Sequence, residues 1–220
     1  AINFDYDKIK NILIASGNVV IDDKKNQSII YSDKITYIKN DELVFTEGNS
    51  RALGNDVVII ADKFKYNKIL NILDATGTVK IENKKENYLI FSENVTYNKN
   101  LELFLTKKNS KVIDEGVIVT ADNFRYDKVK NILNANGKVF IEDKVENYTV
   151  QANDITFNKK LNRIFTIGKT DVKIQSKYNF LSSDVQIDRN LKELKSNQNS
   201  TLTDDNFNIY KLSNFIYFYE

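Results

Sequence analysis

The sequence lacks the residues on which most enzyme active sites are built. It contains no cysteine and no histidine, so it has no thiolate nucleophile, no disulfide, and neither the commonest general base nor a favoured transition-metal ligand. It has no phosphate-binding glycine loop and no cluster of metal ligands. Its carboxylates recur at turns, where Asp and Asn shape the backbone. We therefore expect no enzyme, no metal and no cofactor.

An excess of one charge is also missing. The 32 basic and 30 acidic side chains nearly cancel, for a formal net charge of +2, and lysine is spread along the whole chain. Because nucleic-acid binding needs a basic stripe, we expect no nucleic acid as partner. No apolar run approaches the roughly 18 residues of a membrane-spanning helix. The absence of proline and the seven glycines argue against a disordered linker.

What the sequence does contain is an internal repeat of 60 residues. The segment 61–79 recurs at 121–139 and, more weakly, at 1–19. A weaker copy of its first half lies between these, at 32–39, 92–99, 153–159 and 183–189. The unit is therefore about 30 residues long, and the chain holds about seven units. A repeat of this kind defines the architecture before any single residue is interpreted.

Each unit is predicted to form two strands joined by a turn. Apolar and polar residues alternate in Phe64-x-Tyr66 and in the return segment from Leu73 to Ile81, the period of a half-buried strand. We predict an all-β fold of about 14–16 short antiparallel strands in two facing sheets with open ends. Residues 188–195 have helical spacing, but they lie at a turn position and are predicted to form a hairpin.

Two details of the predicted strands concern register. Gly17, Gly77 and Gly137 lie inside return strands, where glycine marks a bulge or a sharp bend. Residues 57–61 are apolar on both faces, and the inward parity of Val57 conflicts with that of Phe64. A bulge near Ala61 and Asp62 would resolve the conflict.

The inward positions are candidates for either a packed core or the lining of an apolar ligand path. Tyrosine at these positions is compatible with both. The lysines at 8, 39, 68, 99 and 128 are most simply solvated turn residues, and contact with an anionic ligand is the minority interpretation. The candidate lining residues are Ile35, Tyr37, Phe64, Tyr66, Leu73, Val79, Ile81, Val95, Tyr97, Phe124, Tyr126, Leu133, Val139, Ile155 and Phe157.

The repeat resembles a known family. The pattern Ala-Asp-x-Phe-x-Tyr-Asp-Lys followed by Leu-x-Ala-x-Gly-x-Val-x-Ile is similar to the OstA-like repeats of lipopolysaccharide-transport proteins, over essentially residues 1–220. The resemblance implies one V-shaped β-jelly-roll domain with an apolar interior for lipopolysaccharide acyl chains. Residues 203–220 resemble the segment that, in the outer-membrane translocon of the family, leads toward a membrane barrel.

The resemblance also implies partners and a location. These are lipopolysaccharide, an LptA-like bridge protein added as a strand at the N-terminal edge, where Phe4 and Tyr6 lie, and an outer-membrane barrel with its lipoprotein plug. The domain would work at the periplasmic face of the outer membrane. Two alternatives are a stand-alone bridge protein and a structural or adhesive repeat protein with a dry core. Because the chain begins inside a repeat, we expect a processed chain or a piece of one.

Overall fold

The alternation of apolar and polar residues produces strands along almost the whole chain. The computed structural model describes residues 1–54 and 56–219, and this part contains 23 strands and one three-residue 3₁₀ helix, Lys39–Asp41. The strand pairs described below are all antiparallel. The predicted all-β antiparallel fold is confirmed. No helix in these residues is long and apolar enough to span a membrane.

The chain divides into two compact units, Ala1–Lys108 and Asn109–Glu220. The prediction of one domain over residues 1–220 stays a prediction. The strands of the first unit are β1 (Asn3–Asp7), β2 (Ile12–Asp23), β3 (Ser28–Ile38), β4 (Leu43–Glu47), β5 (Ser50–Leu53), β6 (Val57–Ala61), β7 (Lys63–Asn67), β8 (Ile72–Asn83), β9 (Tyr88–Asn98) and β10 (Leu103–Lys107).

The second unit repeats this pattern and extends it. Its strands are β11 (Ser110–Asp114), β12 (Val117–Ala121), β13 (Asn123–Asp127), β14 (Ile132–Asp143), β15 (Tyr148–Asn158), β16 (Arg163–Ile167), β17 (Lys169–Ile174), β18 (Tyr178–Ser183), β19 (Gln186–Asp188), β20 (Glu193–Ser196), β21 (Ser200–Thr203), β22 (Ile209–Leu212) and β23 (Phe215–Phe218). Residues 189–192 form the turn between β19 and β20, and Asp188 pairs with Glu193 across it, so the hairpin predicted at 188–195 is confirmed.

Each long strand belongs to two layers. In β8, residues 72–76 pair with β7 and residues 80–83 pair with β6, and the register with β9 shifts between Thr76 and Val79. In the first unit, layer I is therefore β1, β2, β3, β4, β7, β8, β9 and β10. Layer II is the other half of β2 and β3, then β5, β6, and the other half of β8 and β9.

The second unit has the same two layers. Its layer I runs through β13, β14, β15, β16, β19, β20 and β23. Its layer II runs through β11, β12, β14, β15, β17, β18, β21 and β22. We call the side on which the chain passes from one layer to the other the corner rim, and the opposite side, formed by the loops that end both layers, the open rim.

The predicted number of strands is too low, and the corner rim explains the difference. The chain makes fifteen passes across the described residues, which agrees with the 14–16 expected. Eight of these passes, such as β6 with β7 and β18 with β19, bend so sharply at the corner that each is divided into two strands, which gives 23. Apart from β1, the undivided passes are not short, because β2, β8 and β14 have 12 residues each.

The corner rim also resolves the register conflict near Asp62. Val57, Ile59 and Ala61 face inward in β6, whereas Phe64 and Tyr66 face inward in β7. The inward parity therefore changes at the bend between the two strands, at the position where a bulge would have resolved the conflict in the sequence. The neighbouring pass keeps its parity, because Leu73 and Ala75 face inward before the bend and Val79 and Ile81 after it. Residues 77–78 instead form a bulge opposite the single residue Glu93, and Gly77 has φ = 97°, a value that glycine adopts without steric cost.

Buried hydroxyl groups satisfy the backbone at the corner rim, a role that was not predicted. The hydroxyl of Ser32 donates to the carbonyl groups of Glu47 and Gly48, at 3.0 and 2.9 Å. The hydroxyls of Thr46 and Ser50 lie 2.6 Å apart, and the Thr46 oxygen accepts the N–H of Phe64 at 2.8 Å. Because a buried polar group without a partner is costly, these small side chains stabilise the bend.

Substitution of two corner glycines separates backbone strain from steric overlap. Gly137 and Gly168 both have positive φ, 78° and 73°. A Cβ atom at Gly137 would lie 2.4 Å from the Asp122 carboxylate, whereas one at Gly168 would meet nothing within 4 Å. We expect Gly168→Ala to cost about 1–2 kcal/mol from left-handed backbone strain, and Gly137→Ala to cost at least about 1 kcal/mol more.

Urea unfolding of both variants measures these losses. The control adds Asp122→Ala to Gly137→Ala, which removes the overlapping carboxylate and should recover the additional loss. Equal destabilisation by the two glycine substitutions would contradict the overlap at Gly137.

Candidate functional site

The predicted lining residues lie between the two layers. Thirteen of the fifteen are buried, and the other two, Tyr37 and Tyr97, are half-buried. The alternation that places them inward recurs between equivalent strands: in β7 and β13, Phe64 and Phe124 are followed two residues later by Tyr66 and Tyr126. The predicted inward orientation is thus found, while their role as a lipid lining stays a prediction.

The inward side chains of the two layers touch each other. In the second unit, the ring of Phe180 in layer II stacks on that of Phe215 in layer I, with centroids 4.9 Å apart. Tyr148 in layer II meets Tyr219, which follows layer I strand β23, at 5.6 Å. Ile81 and Ile141 have no exposed surface at all. A ligand could therefore enter only by separating the layers and replacing these apolar contacts.

The tyrosines lie near the open rim and turn their hydroxyl groups toward the loops. Burial raises the pKa of Tyr66 to about 12, as it does for Tyr37 and Tyr97. The Tyr66 hydroxyl donates to Asn71 at 2.8 Å. These phenols are therefore neutral at physiological pH, with an apolar ring inside and a polar group at the edge.

Asparagine and aspartate residues shape the loops of the open rim, as the sequence predicted. Asp23, Asn83 and Asp143 occupy one repeat position, and each accepts backbone N–H groups of the loop that follows it. Neighbouring loops are joined by amide pairs: the Asn71 side chain donates to Asn100 at 3.0 Å. In the second unit, the Asn162 side chain makes the same bond to Asn190.

Cationic side chains of layer I reach the loops of layer II. Lys68 lies 3.7 Å from the buried carboxylate of Asp23. Lys99 donates to the Ser28 hydroxyl at 3.0 Å and to the carbonyl of Asn26. The interpretation of these two lysines as solvated turn residues is wrong, because both side chains are half-buried and bonded to groups of layer II. Those groups lie 45 and about 70 residues away in sequence. Lys8 and Lys39 are exposed, as predicted.

The second unit has three such cross-layer pairs. The nitrogen–oxygen distance is 3.0 Å for Lys159 and Asp114, 2.9 Å for Arg189 and Asp143, and 3.2 Å for Lys192 and Glu146. Burial opposes the charge of Arg189, but Asp143 beside it holds the arginine pKa above its ordinary value. Among the described residues, no three potential ligands converge as a metal site would require.

Exposed apolar side chains mark a strand edge in each unit. Phe4 and Tyr6 are 68% and 37% exposed on β1, which pairs with β2 on one side and has no second partner in the described part of the chain. In the second unit, β22 pairs with β21, and β23 with β20. Ile209, Tyr210 and Phe218 are exposed on these last two strands. Such edges are suited to strand addition.

Comparison with known proteins gives one distant structural likeness worth naming. No protein-family model matches the chain, and no curated protein matches its sequence. The chain is similar to the crystal structure of LptH from Pseudomonas aeruginosa, described as the LptA homologous periplasmic component of the conserved lipopolysaccharide transport device. The identity is 15%, the TM-score is 0.42, and the match covers 60% of this chain and 87% of that chain. Similarity at this level establishes neither family nor function.

A charge placed between the layers should unfold the protein, whereas one on the outer face should not. Phe124 is 3% exposed, and Lys63 lies on the exposed face of β7. We expect Phe124→Asp to lose several kcal/mol of unfolding free energy, because a buried carboxylate without a partner is strongly disfavoured. Lys63→Asp should change it by less than about 0.5 kcal/mol. Similar losses in urea unfolding would contradict the assigned faces.

The ion pair of Asp23 makes stability depend on pH. Burial raises the pKa of Asp23, but bonds from Asn26 and the charge of Lys68 outweigh burial and hold the pKa below its ordinary value of 3.8. The folded state therefore favours the carboxylate. Its contribution is complete above about pH 4 and is lost as pH falls below that value.

Asp23→Asn should accordingly flatten the decline in stability below about pH 4. We expect a small cost at pH 7, since Asn83 forms the same turn at the equivalent position of the next repeat. Unfolding free energies between pH 2 and pH 7 provide the test, with the exposed neighbour Asp22→Asn as the control. If the unfolding free energy of the Asp23→Asn variant declines below pH 4 as steeply as that of the unsubstituted protein, Asp23 is not the group responsible.

Proposed function

We propose that the protein conducts a lipid between its two layers, as a periplasmic module of lipopolysaccharide transport. The observation that carries this proposal is the shared interior of the repeats: the same inward positions recur in successive passes and meet across the layers, with no catalytic group among them. Apolar burial is non-directional, so an acyl chain can move along such an interior without a fixed site. The resemblance of the sequence to OstA-like repeats indicates that the cargo is the acyl chains of lipopolysaccharide.

The finer proposal is that this chain is the N-terminal periplasmic domain of an outer-membrane translocon of the LptD type. An LptA-like bridge protein would add a strand at β1, where Phe4 and Tyr6 are exposed. The strands β22 and β23 would lead toward the membrane barrel and its lipoprotein plug. The resemblance of residues 203–220 to the closing segment of such domains supports this choice over a stand-alone bridge protein.

One observation favours the alternative of a structural repeat protein with a dry core. The predicted lining residues are nearly all buried, so the layers are closed against each other in this structure. A dry core requires this closed state at all times, whereas a conducting protein would have it only when it holds no lipid. They differ in whether an amphiphile can separate the layers, and this difference can be measured.

Photo-crosslinking from inward positions tests the proposed function. A benzophenone amino acid at Phe124 or Tyr66 should form an adduct with lipopolysaccharide, whereas the same group at the outward Lys63 should not. Mass spectrometry of the adducts identifies the cargo. A folded protein that gives no adduct from either inward position would overturn lipid conduction and leave the structural alternative.

A further inference from the structure

The two rims of the second unit are closed by different means. At the corner rim the polypeptide itself passes between the layers, for example within β14, where the register shifts between Asn136 and Val139. At the open rim no chain pass joins the layers among the described residues. There the three pairs Lys159–Asp114, Arg189–Asp143 and Lys192–Glu146 connect them. The open rim is therefore the side at which side-chain motion alone can separate the two layers.

In each cross-layer pair of the open rim, layer I supplies the cation and layer II the carboxylate. The three layer I loops, residues 128–131, 159–162 and 189–192, contain six basic residues and no acidic one. The carboxylates that face them, Asp114, Asp143 and Glu146, belong to layer II or its loops. Layer I thus forms a cationic lip, in which Lys130 also pairs with Asp127 of the same layer at 3.5 Å. Layer II supplies the carboxylates of the three cross-layer pairs, and its loops also contain Lys144 and Lys177. A negatively charged group arriving from outside can replace the layer II carboxylates as partner of the layer I cations.

Each loop of the cationic lip also presents an apolar side chain to solvent. Val129, Leu161 and Leu191 are 71%, 47% and 59% exposed. The loops are neighbours, because Lys159 N–H donates to the carbonyl of Asn131 at 2.9 Å and Arg189 N–H to that of Asn162 at 3.1 Å. Alternating cations and exposed aliphatic groups suit a molecule that has both an anionic head and an acyl chain.

Buried aromatic residues lie on the inner side of this lip. Tyr126 and Phe157 are buried on the strands that end at the first two loops. Tyr219 is joined to the third loop by its N–H, which donates to the Lys192 carbonyl at 2.9 Å. Its hydroxyl is buried and makes no hydrogen bond with any described residue. That hydroxyl is a donor available to a head-group oxygen, and the rings beyond it can receive the chain.

We propose that the open rim of the second unit is the entry site for an amphiphile with an anionic head group. Lys159, Arg189 and Lys192 would hold the head group in place of the layer II carboxylates, while the acyl chain passes between the layers. This inference rests on the proposed lipid conduction and adds its route and its charge requirement. A neutral amphiphile would enter poorly, because opening the rim would leave these cations without a partner.

A reversible lock across the open rim tests the route. The chain has no native cysteine, so Asn190→Cys with Val145→Cys, two exposed positions within two residues of Lys192 and Glu146, can be joined by a cleavable bis-thiosulfonate linker while the three cations are kept. The probe is radiolabelled dodecyl phosphate, used below its critical micelle concentration, with a benzophenone amino acid at Phe124. We expect the locked protein to lose the Phe124 adduct and to regain it after reduction.

The matched control places the same linker within one layer. Lys111→Cys and Thr120→Cys face each other across β11 and β12 in layer II, and this link should leave the adduct unchanged. If adducts form equally in the locked and reduced rim variants, the entry site is wrong while lipid conduction stands. If even the reduced protein forms none, both proposals fail.

Charge removal tests the head-group site separately. Lys159→Gln with Lys192→Gln should weaken dodecyl phosphate binding on the order of tenfold, measured by calorimetry. Binding of the neutral monolauroyl glycerol should change less than about twofold. The control, Lys111→Gln with Lys169→Gln, removes two lysines near the corner rim and should affect neither ligand. Equal losses for both ligands in the rim variant would overturn the head-group site.

Discussion

The fold depends on one constraint: each chain pass must leave one layer and enter the other without exposing its backbone or its inward face. The inward parity changes at the corner in some passes, as between Ala61 and Phe64, and is kept by a bulge in others, such as β8. The bend leaves carbonyl groups that the strand ladder cannot satisfy. Glycine supplies the backbone conformation, and buried Ser and Thr hydroxyls supply the missing bonds. Because the corners repeat, the inward stripes of successive passes align into one interior within each unit.

Local patterns in the sequence were sufficient to predict the antiparallel passes and their inward faces, and they pointed to an irregularity near Asp62. Alternation and repeat length are properties of neighbouring residues, and two apolar faces in 57–61 could be reconciled only by a change of register. The partners of Lys68 and Arg189 were not predictable in this way, since Asp23 and Asp143 lie about 45 residues away. The hydroxyls of Ser32 and Thr46 were missed because Ser and Thr suit exposed strand positions equally well.

A closed interior is compatible with lipid conduction on energetic grounds. Separating two apolar layers in water costs about 25 cal/mol per Å² of exposed surface, which is prohibitive over a whole interface. An acyl chain that enters as the layers part replaces protein contacts with lipid contacts, so the net exposure stays small. The inward side chains need only be apolar, as the buried side chains of Phe64 and Val79 are.

If lipid enters by separating the layers, it should enter where the layers are least firmly connected. At the open rim of the second unit they are connected by side-chain ion pairs rather than by the polypeptide. Partly exposed ion pairs such as Lys192–Glu146 contribute only about 0–1 kcal/mol each. The buried Arg189–Asp143 pair would cost several kcal/mol to break by removing one partner, but an anion that replaces Asp143 keeps the arginine paired. An open rim held by ion pairs can therefore be stable without a ligand and still open selectively for anionic amphiphiles. The polypeptide passes at the corner rim keep the two layers in register when the open rim separates.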